Sequence, residues 1–137
     1  MKAPVLTVLL ADDDKVQTLM LASLLRAKGY RVDSAFDATQ TFTSAIRTSP
    51  NVIVLDIQMP GGTGMLVLER LKSSTKTSQI PVIVLSGSTD PNAEAEVKQR
   101  GADVYLSKPV DVDELLGTLA RVLGERPDAA TERIAPQ

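Results

Sequence analysis

Short apolar runs that end at polar or acidic residues recur along the chain. They are Val5–Leu10, Val52–Leu55, Pro81–Leu85 and Val104–Leu106. Runs of this length that are rich in Val, Ile and Leu are typical of strands buried on both faces, as in a parallel sheet. A weaker, alternating run at Tyr30–Phe36 predicts a strand at the edge of that sheet.

Segments with apolar residues at helical spacing fill the intervals between these strands. They are Lys15–Lys28, Asp37–Thr48, Met65–Lys72, Asn92–Arg100 and Val112–Leu123. The apolar residues of the first segment are Val16, Leu19, Met20, Leu24 and Leu25, and their spacing predicts an amphipathic helix. Asp14 and Asp111 are the expected N-caps of the first and last helices, and Gly29 is expected to end the first.

Strands that alternate with helices predict an α/β fold, with right-handed crossovers and a parallel sheet covered on both faces. We predict a single-domain, flavodoxin-like (βα)5 arrangement: a doubly wound sheet of five parallel strands in the order 2-1-3-4-5. The domain is expected to cover residues 1–123. The polar segment 124–137, which contains Pro127 and Pro136, is expected to be a disordered tail.

Chemically useful side chains follow four of the predicted strands. Asp12 and Asp13 come after the first strand and Asp56 after the third, and in this strand order those two strands are neighbours at the switch point where ligands bind. Clustered carboxylates repel one another, so folding them together costs stability unless a cation intervenes. Ser86 follows the fourth strand and Lys108 the fifth, so we expect all five residues to share one cleft.

Composition narrows the chemistry that this cleft can perform. The 137 residues contain no cysteine and no histidine, which excludes thiolate and imidazole chemistry on this chain. A formal net charge of -2 gives no electrostatic reason to expect nucleic-acid binding. The apolar run at Val5–Leu10 is too short to span a membrane, so a cytoplasmic location is expected. Any reaction must use carboxylates, hydroxyls, lysine or a hard metal.

Four motifs taken together resemble the receiver domain of two-component response regulators, the CheY-like family. They are an acidic pair after the first strand, Asp-x-x-Met-Pro-Gly after the third, Ser after the fourth and Lys-Pro after the fifth. The resemblance runs from Val5 to about Leu123. It implies that Asp56 accepts a phosphoryl group from a phosphohistidine on a partner, either a sensor histidine kinase or a histidine phosphotransfer protein.

The resemblance also implies a role for each residue around Asp56. Asp12 and Asp13 would hold Mg²⁺, with Asp13 and Asp56 as direct ligands and Asp12 acting mainly through water. The backbone carbonyl of Gln58 would be a further ligand of the ion. Lys108 would contact the phosphoryl oxygens.

Further residues would carry the response to phosphorylation. Ser86 would also contact the phosphoryl oxygens, and Tyr105 would rotate as part of the switch. The Lys108–Pro109 peptide bond is expected to be cis. The response would reach a downstream protein through the face formed by the fourth helix, the fifth strand and the fifth helix.

The sequence departs from the usual family pattern beside the proposed switch. Gly87 stands where the family usually has alanine, and we expect this departure to loosen the loop. Gln58 and Ser88 occupy positions that in the family flank the path of the hydrolytic water.

Three interpretations follow from the sequence. The first is a stand-alone receiver, which is no enzyme beyond Mg²⁺-dependent self-phosphorylation and autodephosphorylation. The second is a receiver cut from a longer regulator or a hybrid kinase. The third is an Mg²⁺-dependent aspartyl-phosphate phosphatase of the haloacid-dehalogenase kind. That class carries a second aspartate at the position of Gln58 and places its nucleophile on the first strand, whereas Asp56 follows the third.

Overall fold

The structure is a computed structural model that describes residues 4–59 and 63–124. Its strands are β1 (Thr7–Ala11), β2 (Arg31–Ala35), β3 (Val52–Asp56), β4 (Val82–Ser86) and β5 (Val104–Ser107). Its helices are α1 (Lys15–Ala27), α2 (Ala38–Thr48), α3 (Thr63–Ser73), α4 (Ala93–Gln99) and α5 (Val112–Val122). Residues 125–137 of the predicted tail and residues 60–62, which include the Pro-Gly of the Asp-x-x-Met-Pro-Gly motif, lie outside the described residues.

The strands form one parallel sheet in the order β2-β1-β3-β4-β5, which confirms the predicted topology. The strand β2 lies at an edge, as its weak alternation predicted. Ala11 pairs with Leu55 across β1 and β3, and Asp56 pairs with Leu85 across β3 and β4. This register brings the carboxyl ends of three neighbouring strands to one edge of the sheet.

Successive residues of the central strands point into two separate cores. Val8 and Leu10 of β1 pack with Leu25 of α1 and with residues of α5 on one face. Leu9, between them, packs with Leu68 of α3 and with residues of α2 and α4 on the other face. Strands buried on both faces explain the continuous apolar runs, because no position of β3 or β4 faces water.

The apolar stripe of α1 faces solvent. Its exposed members are Val16, Leu19, Met20 and Leu24, which are 70%, 60%, 65% and 47% exposed. The helix instead buries Thr18, Ala22 and Leu25, which are also spaced on one face. Small side chains let the helix lie close to the sheet, and the Thr18 hydroxyl is satisfied because it donates to the carbonyl of Asp14 at 2.8 Å. The amphipathic helix exists as predicted, but most of its large apolar residues lie outside the core.

The helix termini follow the sequence signals. The side chain of Asp14 accepts from the Gln17 N–H at 3.0 Å, and that of Asp111 accepts from the Glu114 N–H at 3.1 Å. Gly29 has φ 93°, a conformation that glycine adopts without strain just after a helix. Within the described part of the chain, no helix has the length and hydropathy that a membrane crossing needs.

Candidate functional site

Three carboxylates meet at the carboxyl edge of the sheet. One oxygen from each of Asp12, Asp13 and Asp56 lies within 4.8 Å of the other two. The parallel register of β1 and β3 causes this meeting, since Asp12 directly follows β1 and Asp56 ends β3. Asp12 and Asp56 are buried, at 8% and 4% exposure, whereas Asp13 is exposed. The structure therefore brings together the three predicted carboxylates.

Burial disfavours the charged form of the Asp12 carboxyl group. The pKa of Asp12 is raised from 3.8 to about 6, chiefly by desolvation and in part by the nearby Asp56 carboxylate. The N–H of Asp14, which donates to Asp12 Oδ1 at 2.9 Å, and the ammonium of Lys108 both act in the opposite direction. The acidic pocket therefore carries negative charge that its own residues compensate only in part.

Lys108 is the cation that the structure places against these carboxylates. Its Nζ donates to Asp56 Oδ2 at 2.9 Å and lies 3.8 Å from Asp12 Oδ2. Its backbone N–H donates to the carbonyl of Ser86 at 2.8 Å, which ties the residue to the end of β4. The Lys108–Pro109 peptide bond is cis. The predicted lysine thus contacts the predicted phosphoacceptor directly.

Ser86 ends β4, next to the strand that carries Asp56. Its side chain is buried at 1% exposure, and its Oγ accepts from the N–H of Ser88 at 3.1 Å. A cavity beside Ser86 is lined by Met65 of α3 and by residues of α4. Tyr105 is partly buried and packs on the same core as α4, on that face of the sheet. The arrangement leaves space next to Ser86, on the face of the sheet where Tyr105 packs.

Gln58 contacts both sides of the site. Its backbone N–H donates to Asp56 Oδ1 at 2.9 Å, and its side-chain Oε1 accepts from the Gly87 N–H at 2.6 Å. The sequence pointed to the backbone carbonyl of Gln58 but not to this side-chain contact. Glycine at position 87 was the available signal, because a missing side chain often marks a close approach.

An apolar groove lies along α1, and the hydrophobic pattern of the sequence did not predict it. Asp14 is one of its lining residues. The remaining lining residues are Val16, Gln17, Met20, Leu21 and Leu24 of α1, together with Val110 and Val112 from the start of α5. Val16, Met20 and Leu24 of the exposed stripe therefore form one wall of a concave surface whose lining includes Asp14, the residue that follows Asp13.

The donor set fits a hard divalent cation. Mg²⁺ prefers carboxylate, carbonyl and water oxygens, and it commonly uses only one or two protein carboxylates. Asp12, Asp13 and Asp56 supply such oxygens close together, and the raised pKa of Asp12 shows that added positive charge would be favourable. The role of the Gln58 backbone carbonyl as a ligand stays a prediction.

Comparison with known proteins points to one family. Residues 8–120 match the family described as the response regulator receiver domain. The chain is 33% identical over 116 residues to the protein PilH of Pseudomonas aeruginosa, a match that covers 85% of this chain and 96% of PilH. Other relatives are much longer: the chain spans 48% of one and 23% of another.

Solved structures give the same result. The chemotaxis protein CheY4 of Vibrio cholerae superimposes with a TM-score of 0.80 at 30% identity, over 87% of this chain and 99% of that one. The receiver domain of the sensor histidine kinase PA1611 from Pseudomonas aeruginosa, described with magnesium coordinated in its active-site cleft, superimposes with a TM-score of 0.79. That match is at 27% identity and covers 89% of this chain and 100% of the other. Fold, sequence and motif order agree, and the chain belongs to the response regulator receiver domain family of two-component signalling.

Proposed function

We propose that the chain is a phosphoacceptor in a two-component phosphorelay and that Asp56 is the residue that accepts the phosphoryl group. The supporting observation is the setting of Asp56. It is a buried carboxylate at a strand end, it receives hydrogen bonds from the Lys108 ammonium and the Gln58 N–H, and it adjoins two further carboxylates. The donor would be the phosphohistidine of a sensor histidine kinase or of a histidine phosphotransfer protein.

The chemistry of this transfer demands alignment more than covalent assistance. An oxygen of Asp56 attacks phosphorus, the P–N bond to the donor's imidazole breaks, and its electron pair returns to the ring nitrogen. Lys108 and the Gln58 N–H orient the carboxylate, each with a contact of 2.9 Å. Lys108 also supplies a compact positive charge for the phosphoryl oxygens. Attack by water then releases inorganic phosphate and restores Asp56.

We propose Mg²⁺ as the cofactor, held by Asp12, Asp13 and Asp56 with the backbone carbonyl of Gln58. A bound ion supplies positive charge that offsets the negative charge of the transferring group. Asp12 supports this assignment because burial has raised its pKa to about 6, and a cation would relieve that cost. Asp12 would act mainly through water and Asp13 directly, in keeping with the exposure of Asp13.

The groove along α1 is proposed as the docking surface for the phosphodonor protein. Any protein donor must bring its phosphohistidine to Asp56, so its contact surface must adjoin the acidic edge. The lining of the α1 groove includes Asp14, two residues after Asp12, and the exposed Met20 and Leu24 suit the apolar face of a partner helix. The face of α4, β5 and α5 is the proposed output surface, because Tyr105 lies on β5 and Ser86 lines a cavity that residues of α4 also line.

The phosphatase interpretation has less support. Asp56 lies on β3, the central strand of the sheet, and Gln58 stands where that enzyme class carries a second aspartate. We therefore propose that the chain acts on no substrate other than its own aspartyl phosphate. Its cytoplasmic location and the domain boundary at residue 123 stay predictions, as does the choice between a stand-alone receiver and a part of a longer regulator.

A phosphodonor assay tests the proposed function. Acetyl phosphate with Mg²⁺ should label wild-type protein at Asp56, as read by intact mass and peptide mapping. Asp56→Asn should abolish the label, whereas Asp33→Asn, a carboxylate change on the edge strand β2, should leave it. Labelling mapped to Asp12 or Asp13, or labelling that survives in Asp56→Asn, would overturn the assignment.

A further inference from the structure

Gln58 connects the phosphoacceptor to the chain segment that follows β4. Its backbone N–H donates to Asp56 Oδ1 at 2.9 Å. Its side chain crosses to the next strand end, where Oε1 accepts from the Gly87 N–H at 2.6 Å. Gly87 lies between Ser86, whose buried hydroxyl is the proposed switch, and Ser88, whose N–H donates to that hydroxyl. One side chain therefore joins the end of β3 to the switch segment Ser86–Ser88.

The missing side chain at position 87 is what permits this contact. A Cβ at that position would lie 2.9 Å from Gln58 Oε1, closer than such atoms approach in proteins. The next nearest atoms would be Lys108 Cβ at 3.9 Å and Gln58 Cδ at 4.0 Å, which are ordinary contacts. The site thus has room for an alanine at 87 once the end of the Gln58 side chain moves away. The hydrogen bond between Gln58 and Gly87 therefore depends on glycine at position 87.

We propose that Gln58 is a positioning residue that latches the segment Ser86–Ser88 in its unphosphorylated arrangement. This inference rests on the proposed phosphorylation of Asp56. A phosphoryl group there brings new acceptor oxygens to the strand ends, and Ser86 must shift to donate to them. The side-chain Oε1 of Gln58 already accepts a hydrogen bond from the Gly87 N–H. The shift of Ser86 therefore requires that hydrogen bond to break. The latch therefore opposes the phosphorylated arrangement, and its removal favours it.

The size of the effect follows from the single hydrogen bond involved. The net value of such a bond corresponds to an equilibrium change of about two- to tenfold. Gln58→Ala should therefore bind beryllofluoride, a phosphoryl mimic, about two- to tenfold more tightly than wild type in the presence of Mg²⁺. Gln58→Met, which keeps the length of the side chain but lacks the carbonyl, should do the same. Both variants retain the backbone N–H that contacts Asp56.

A double-mutant cycle separates the latch from unrelated effects. Gly87→Ala should displace the Gln58 side chain and raise beryllofluoride affinity to a similar extent. In the Gln58→Ala background, Gly87→Ala should add almost nothing, because the group it displaces is gone. Gly117→Ala is the matched control, since a Cβ at that exposed position of α5 meets no atom within 4 Å. It should leave the affinity unchanged.

The Gly87 amide provides a second measurement on protein without beryllofluoride. Its NMR shift and its hydrogen exchange should change in Gln58→Ala and Gln58→Met and stay unchanged in Gly117→Ala. Equal affinity of wild type and Gln58→Ala, or additive effects of the two substitutions, would overturn the latch while leaving the proposed function intact. A wild-type protein that binds no beryllofluoride with Mg²⁺ would overturn the proposed function and the latch together.

Discussion

The ammonium of Lys108 lies 2.9 Å from the carboxylate of Asp56, a side chain that is only 4% exposed. The same ammonium lies 3.8 Å from Asp12. Without it, two buried carboxylates would face each other with no cation between them. Lys108 therefore supports the folded state of the metal-free protein as well as any phosphoryl group on Asp56.

Replacement of Lys108 tests this double role. Lys108→Met removes the charge from a largely buried pair, which leaves Asp56 without its cation. We expect a loss of about 2–3 kcal/mol in the unfolding free energy without metal, slightly below the range for fully buried pairs because Lys108 is partly exposed. Urea denaturation measures the loss. Lys76→Met, a change at an exposed lysine, is the control, and an equal loss in both variants would contradict the structural role.

The pKa of Asp12 predicts how stability depends on pH. The folded protein holds the Asp12 proton up to about pH 6, whereas the unfolded chain releases it near 3.8. The stability contributed by Asp12 is therefore full below about pH 4 and is lost as the pH rises through 6. Asp12→Asn keeps an oxygen for the Asp14 N–H and removes the charge. It should raise the unfolding free energy at pH 7 by up to about 3 kcal/mol in metal-free protein.

The same substitution should bring almost no gain at pH 4, where wild-type Asp12 is already protonated in the fold. Denaturation of both proteins at pH 4, 5, 6 and 7, after metal removal by dialysis, gives the difference at each pH. A stabilisation that is constant across this range would show that burial of the Asp12 charge is not its cause.

Binding of Mg²⁺ should offset the loss of stability that repulsion among the clustered carboxylates causes. A cation that binds only the folded state stabilises it by about 2.7 kcal/mol at a hundredfold excess over its dissociation constant. Asp13→Asn should remove most of this gain, whereas Asp33→Asn on β2 should keep it. The chain has no tryptophan, so circular dichroism or calorimetry is the suitable measurement. An Asp13→Asn protein that gains as much from Mg²⁺ as wild type would remove Asp13 from the ligand set.

The proposed docking groove predicts a difference between protein and small-molecule donors. Met20→Glu places a charge on the exposed wall of the groove. It should slow phosphotransfer from a phosphorylated partner by about tenfold or more, because a few interface residues carry most of the binding energy. Labelling by acetyl phosphate should be unchanged, because the reaction site is untouched. Leu66→Glu is the control, since Leu66 of α3 is 62% exposed and Met20 is 65% exposed. Equal slowing with both donors would contradict docking at α1.

The sequence predicted the sheet order and the positions of the site residues because both depend on strand ends. Apolar runs locate the strands, and the parallel register then carries Asp12 and Asp56 to one edge. The packed face of α1 could not be predicted in this way. Two stripes of that helix have helical spacing, and the stripe that contains Ala22 is buried because small side chains allow close approach to the sheet.

The contact between Gln58 and Gly87 was beyond sequence reasoning for a different reason. The two residues lie 29 positions apart, and a side-chain rotamer decides whether they meet. Glycine at 87 signals that space is needed without saying which group fills it. The functional residues at strand ends can therefore be predicted from hydrophobic periodicity, whereas the side-chain contacts between them require a three-dimensional structure.

The last prediction concerns the switch. Ser86 is buried, and the cavity beside it lies on the face of the sheet where Tyr105 packs, so a movement of Ser86 toward a phosphoryl group changes the space next to α4. One charge-assisted hydrogen bond from the Ser86 hydroxyl contributes about 1.5–3 kcal/mol, which is enough to reverse a modest conformational bias. Ser86→Ala should therefore still be phosphorylated on Asp56 but should lose the coupled response around Tyr105.

Beryllofluoride with Mg²⁺ allows this response to be read by NMR over residues 92–119, a range that contains α4, β5 and most of α5. Wild-type protein should show shift changes throughout this range, and Ser86→Ala should show them only beside the site. Ser107→Ala is the matched control, because Ser107 pairs with Ser86 in the register of β4 and β5 but is exposed. It should respond as wild type does. If Ser86→Ala gives the full wild-type pattern, then the hydroxyl of Ser86 does not link Asp56 to the face of α4, β5 and α5, and the coupling must run through another residue of the site.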